Sequence, residues 1–92
     1  MRITFDPGKN EQNIRERELP FEWAAAFDFE TAYIETDSRR EYGEMRYIAL
    51  GGLRGRLHVL CFTETADGIR VISFRKANKR EIKRYAKIQT AD

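Results

Sequence analysis

The sequence predicts an α+β domain: an antiparallel sheet of about four strands, with two helices before it and one after. Stretches rich in β-branched and aromatic residues recur between residues 32 and 74, separated by short polar or glycine-bearing breaks. Helix start signals stand at Asp6-Pro7, before the strands, and at Asn78 with Glu81, after them. Ninety-two residues allow one small core, so residues 1–92 are expected to form a single domain.

Ile3-Thr4-Phe5 is a short strand candidate. Asp6 caps and Pro7 opens a first helix to about Glu18, which carries almost no apolar stripe beyond Ile14 and Leu19 and so lies on the surface. Pro20 opens a second helix, Phe21 to Phe27. Its Phe21, Ala24 and Ala25, and its Trp23 and Phe27, recur at helical spacing and are expected in the core. Ala32 to Thr36 is a strand, and Asp37 to Tyr42 a polar connection with the character of a mobile loop. Glu44 to Leu50, Arg56 to Thr63 and Ile69 to Phe74 form a meander through turns at Gly51–Gly55 and Asp67-Gly68. The consecutive apolar residues Leu57, Val59, Leu60, Cys61 and Phe62 mark a central strand covered on both faces. Asn78 with Glu81 then starts the last helix as a capping box.

At 41% hydrophobic and 35% charged, the composition is that of a globular protein. No apolar run approaches the roughly 18 residues of a membrane span, and the N-terminus lacks the apolar region of a signal peptide. With Cys61 as the single cysteine no internal disulfide forms, and a reducing cytoplasm is the expected compartment. Charge is unevenly spread. Residues 1–50 hold seven Lys or Arg against eleven Asp or Glu; residues 51–92 hold ten against four. Arg75, Lys76, Lys79, Arg80, Lys83, Arg84 and Lys87 crowd the last strand-to-helix corner, which suits a polyanionic or acidic partner. A basic helix that merely faces solvent explains the run equally well.

Catalytic chemistry is offered sparingly. His58, the one histidine, alternates with Leu57 and Val59 and reads as structural. A lone His and a lone Cys make no zinc site, and no phosphate loop or dinucleotide fingerprint occurs, so neither metal nor cofactor is expected. Arginine is abundant instead. Arg46, Arg56, Arg70 and Arg75 lie on or at the ends of neighbouring strands, where guanidinium forks can hold a phosphodiester and stabilise charge developing at phosphorus. Tyr42, Tyr47 and Tyr85 can stack unpaired bases. Equally, the arginines can pair with Glu41, Glu44 and Glu64 while the tyrosines pack against helices.

Several segments together resemble the BrnT family of bacterial type II toxins, small ribonucleases with a RelE-like fold. Phe5-Asp6, Lys9, Asn13-Ile14 and Phe21-Glu22 parallel the family's opening, and Glu44-Met45-Arg46 through Gly51 resembles its Glu-x-Arg strand. Phe62-Thr63-Glu64, the run Ile69 to Ala77, and Glu81 with Tyr85 carry the most specific likeness, centred on Ile72-Ser73-Phe74-Arg75-Lys76-Ala77. Three positions depart from the pattern: Glu16 stands where the family usually has Lys, Arg17 where it usually has His, and Phe74 where a small residue is usual.

The resemblance implies RNA cleavage that inhibits translation, and neutralisation by a BrnA-type ribbon-helix-helix antitoxin. Operator DNA would be bound only through that antitoxin. The resemblance places catalysis on Arg75 and Lys76, with Arg46, Glu64, Arg70 and Tyr85, and the basic residues Lys9, Arg17, Arg56, Lys79 and Arg80 are the candidates for RNA binding. Attack by the ribose 2′-OH on the adjacent phosphate would leave a cyclic phosphate, with Glu64 or Tyr85 as general base or acid. The alternative is a non-catalytic module that binds nucleic acid or antitoxin through the basic C-terminal corner.

Overall fold

The computed structural model describes residues 1–91. Its chain runs β1 (Arg2–Phe5), α1 (Pro7–Arg17), a 3-10 helix (Phe21–Ala26), β2 (Tyr33–Thr36), β3 (Tyr47–Leu53), β4 (Arg56–Glu64), β5 (Gly68–Lys76) and α2 (Lys79–Thr90). The sheet order is β1-β5-β4-β3-β2. Strands β2 to β5 form the expected antiparallel set. The sheet nevertheless has five strands and is mixed, because β1 pairs parallel to β5 from Arg2↔Gly68 to Phe5↔Val71. A four-residue edge strand whose partner lies some 65 residues away leaves almost no local signal for its direction. Gly68 makes this pairing possible, since a Cβ there would run into the Arg2 carbonyl oxygen. Gly68→Ala is therefore expected to detach β1 at a cost of about 1–3 kcal/mol. Faster amide exchange confined to residues 2–5 and the facing part of β5 checks it.

Of the two predicted N-terminal helices, only the first is an α-helix. Asp6 caps it by accepting from the Lys9 amide (2.9 Å), and Glu18 ends it in the left-handed region at φ 54°. Polar groups dock it in place of an apolar stripe. Buried Asn13 donates to the carbonyls of Leu19 (2.9 Å) and Phe74 (3.0 Å), while Asn10 accepts from the Phe21 amide (2.8 Å). The second segment is 3-10: Phe21, Ala24 and Phe27 are buried at intervals of three residues, the period at which 3-10 side chains eclipse. Ala25 is consequently exposed and Trp23 only half-buried, so neither joins the fully buried core.

Two apolar layers sandwich β4. One face packs Leu60, Phe62, Ile69, Val71 and Phe74 against the 3-10 helix and β1. The other packs Leu50 and Val59 against Ala77 and Tyr85. A bulge in β5 sets which side chains face where. Cys61 pairs with Ser73 but Phe62 with Val71, so Ile72 is an extra residue. Without it Val71 and Phe74 would point to opposite faces; with it both enter the same core. The side chains of Ser73 and Arg75 are turned toward α2.

Candidate active site

The sheet face beside α2 carries a polar recess of about 180 Å³. Its floor is Ile48, Leu50, Val59, Cys61 and Ser73, and its rim is charged. Arg75 comes from β5, Glu35 from β2, Arg39 from the loop after β2, and Glu81 and Arg84 from α2. Tyr85 and Gln89 pin α2 across the sheet, donating to the Thr31 carbonyl at 2.9 and 3.3 Å.

Each arginine at this rim is held by a carboxylate. Arg75 donates to both oxygens of Glu81 (2.8 and 2.9 Å), whose Oε1 also accepts from the Asn78 amide in the capping box. The Arg75 guanidinium holds the Glu81 carboxyl below its ordinary value. Arg84 donates to Glu35 (3.1 Å) and lies over the Tyr33 ring. Arg39 forks onto Asp37 at 2.8 Å through both Nε and Nη2, and the Tyr42 hydroxyl adds a bond at 3.1 Å. Asp37 is buried, and its Arg39 hydrogen bonds hold its carboxyl far below the usual carboxylate range. The buried carboxylate thus ties residues 37–42 to one another, and the Asp37 amide donates to the Arg46 carbonyl beside β3 (2.8 Å). Cys61 packs beneath them with its thiol pushed up by burial.

Both carboxylates make stability pH-dependent. Their folded pKa values lie below the ordinary 3.8 of Asp37 and 4.5 of Glu81. The stabilisation is complete above those ordinary values and is lost as pH falls through the folded ones. Urea midpoints should be level above about pH 5 and drop below about pH 4. Asp37→Asn should lower the plateau and flatten the drop.

Arg75, Lys76, Arg17 and Arg56 gather at one end of the sheet. Arg17 and Lys76 share a shallow groove with Arg75, and both also meet Arg56 in a recess on the opposite face. Lys79 and Arg80 follow on the exposed first turn of α2. Five other residues lie apart from this end or are engaged elsewhere. Glu64 is on the other face, beside Tyr47 and Phe62, roughly 17 Å along β4 from the residue opposite Arg75. Arg70 is exposed at that same far end. Arg46 pairs with Glu44 (2.9 Å) and lies 4.1 Å from the Tyr42 ring centroid. Tyr85 is committed to Thr31 and the core. Lys9 is exposed near the start of α1.

The family model for BrnT, the ribonuclease toxin of type II toxin–antitoxin systems, matches residues 5–81. The chain belongs to the BrnT family. No individual curated protein matches it. Membership in a type II system gives this BrnT chain an antitoxin as partner. The matched range includes Arg39, Arg75 and Glu81, whereas Arg84 lies beyond it. No described helix is long and apolar enough to cross a membrane.

Sequence reasoning missed Glu35, Arg39 and Arg84 at the Arg75 recess, and Glu81 as the carboxylate that holds Arg75. Arg84 falls within the basic run, but nothing local distinguishes it from Lys83 or Lys87. Asp37-Ser38-Arg39 did carry a faint signal, because an Asx turn lets an acid and an arginine two residues apart share hydrogen bonds.

Proposed function

We propose that this BrnT chain is an endoribonuclease that cleaves RNA without a metal ion at the recess beside α2, arresting translation in the cytoplasm. The observation that carries the reading is the approach of Arg39, Arg75 and Arg84 to one recess within a chain of this family. The scissile phosphate takes the place of the Glu81 carboxylate on the Arg75 fork, exchanging one bidentate anion for another. Arg39 and Arg84 then face the charge that grows at phosphorus. Freed from Arg75, Glu81 loses the interaction that depresses its pKa and becomes a better base for the 2′-OH proton. The 2′ oxygen bonds to phosphorus, the bond to the 5′ oxygen breaks, and solvent protonates that oxygen. The products are a 2′,3′-cyclic phosphate and a 5′-hydroxyl. A BrnA-type ribbon-helix-helix antitoxin neutralises the enzyme and carries the pair to operator DNA.

The test is cleavage of a defined RNA by purified protein in chelator, with the product ends identified. Glu81→Gln should lower kcat by about 10²–10⁴. It should leave the fold intact, because glutamine at this position still completes a capping box. Unchanged cleavage by Glu81→Gln would exclude Glu81 as the base. Growth arrest without RNA cleavage would favour a binding module acting through the same basic corner.

A further inference from the structure

On the sheet face opposite α2, the end of β5 opens into a second recess of about 290 Å³. Arg17, Arg54, Arg56 and Lys76 line it, with Glu18 as the one acid among the described residues. Its walls include Trp23, the only tryptophan of the chain, and the buried His58. The Arg54 guanidinium lies 3.8 Å from the Trp23 ring centroid, stacked on the indole. His58 is oriented by its own strand. Nδ1 lies 2.8 Å from the Arg56 carbonyl, which can only accept, so Nδ1 carries the proton. Burial pushes the imidazole pKa down, which keeps the ring neutral and leaves Nε2 with a free lone pair. Among the described residues the one side-chain hydrogen bond of His58 is that of Nδ1, and the residue lines the recess, which leaves Nε2 to meet a donor there.

These groups together describe a ligand. Four cations call for acceptors, the stacked Arg54 and Trp23 call for a flat π surface, and Nε2 calls for one donor. We propose that this recess is a nucleobase subsite that seats the base beside the scissile phosphate and fits guanine best, an assignment that rests on the nuclease reading above. Guanine offers O6 and N7 to an arginine fork and N–H donors to an imidazole lone pair. The volume, at the lower end of ligand cavities of roughly 300 Å³ and more, suits one base. Continuity supports the placement: Arg17 and Lys76 line both this recess and the groove that holds Arg75. A strand crossing the end of β5 would lay its phosphates over these cations and drop its next base toward Trp23.

Trp23 supplies a direct readout. The full chain is titrated with GMP, ribose 5-phosphate and inorganic phosphate at one ionic strength. Fluorescence is excited at the red edge of the indole band, where guanine does not absorb. GMP should quench saturably and bind about tenfold or more tighter than ribose 5-phosphate. Arg54→Asn, tolerated at φ 51°, and Arg56→Gln, at an exposed site, should each weaken GMP by about tenfold. Equal binding of GMP and ribose 5-phosphate would leave an anion site only and overturn the assignment, as would no quenching at all. RNA cleavage separates the two readings. A wild type that binds GMP but cleaves no RNA defeats the nuclease reading alone; one that cleaves RNA but ignores GMP defeats the subsite alone.

Discussion

Arg75→Ala should abolish most RNA cleavage while leaving the fold and the greater part of RNA affinity in place. A fixed donor aimed at charge that develops in the transition state is typically worth about 10²–10³ in kcat, or about 2.7–4 kcal/mol. Arg75 is the side chain best placed for this, because its fork already holds a bidentate anion, Glu81. Ground-state affinity should fall much less, since Arg17, Arg56, Lys76, Lys79 and Arg80 remain to meet the phosphates. Stability should change by less than about 1 kcal/mol, because the Arg75–Glu81 pair is partly exposed and Glu81 keeps its bond to the Asn78 amide. Arg75→Lys should rescue little, as an ammonium cannot reproduce the planar fork. Single-turnover cleavage with parallel binding and urea curves checks all three. A variant that loses affinity and salt dependence, in an RNA-binding protein without cleavage, would mark Arg75 as a phosphate anchor.

The legible parts of this fold were those coded by contiguous residues. The meander from β3 to β5 is written in its apolar strands and α2 in its capping box, whereas the tight positive-φ turn falls at Arg54-Gly55 and not at Asp67-Gly68, where Gly68 already opens β5. What sequence could not give depends on residues far apart. The parallel β1–β5 pairing depends on Gly68 tolerating the Arg2 backbone. The docking of α1 depends on Asn13 reaching Phe74, and a polar anchor leaves no hydrophobic period to read. The site divides the same way. Arg75 and Lys76 stand out in sequence because they end a strand at a basic corner. Arg39 and Arg84 reach the recess only because the loop after β2 and α2, pinned at Thr31, come together on that sheet face. The resemblance puts Glu64 beside Arg75 and Lys76, yet strand parity sends it to the opposite face.

Phe74→Ala should be the most destabilising substitution in the sheet, costing about 3–5 kcal/mol. The ring is fully buried, packs edge-on to Phe27 with centroids 6.2 Å apart, and lies 5.6 Å from His58. Truncation removes those contacts, and strands β4 and β5 cannot close over the space while their hydrogen bonds hold them in register. Set against a typical total of roughly 5–15 kcal/mol, the loss is a large fraction of all stability. The direction in which the ring points decides between two roles for this bulky residue, lining the recess or filling the core. A side chain toward α2 would narrow the arginine recess, but Phe74 faces the 3-10 helix instead, so it thickens the core. Phe74→Leu should therefore recover much of the stability, and at a temperature where it stays folded its kcat should match the wild type within about threefold. A large gain in kcat on shortening Phe74, with stability unchanged, would mean that the ring crowds the substrate and not the core.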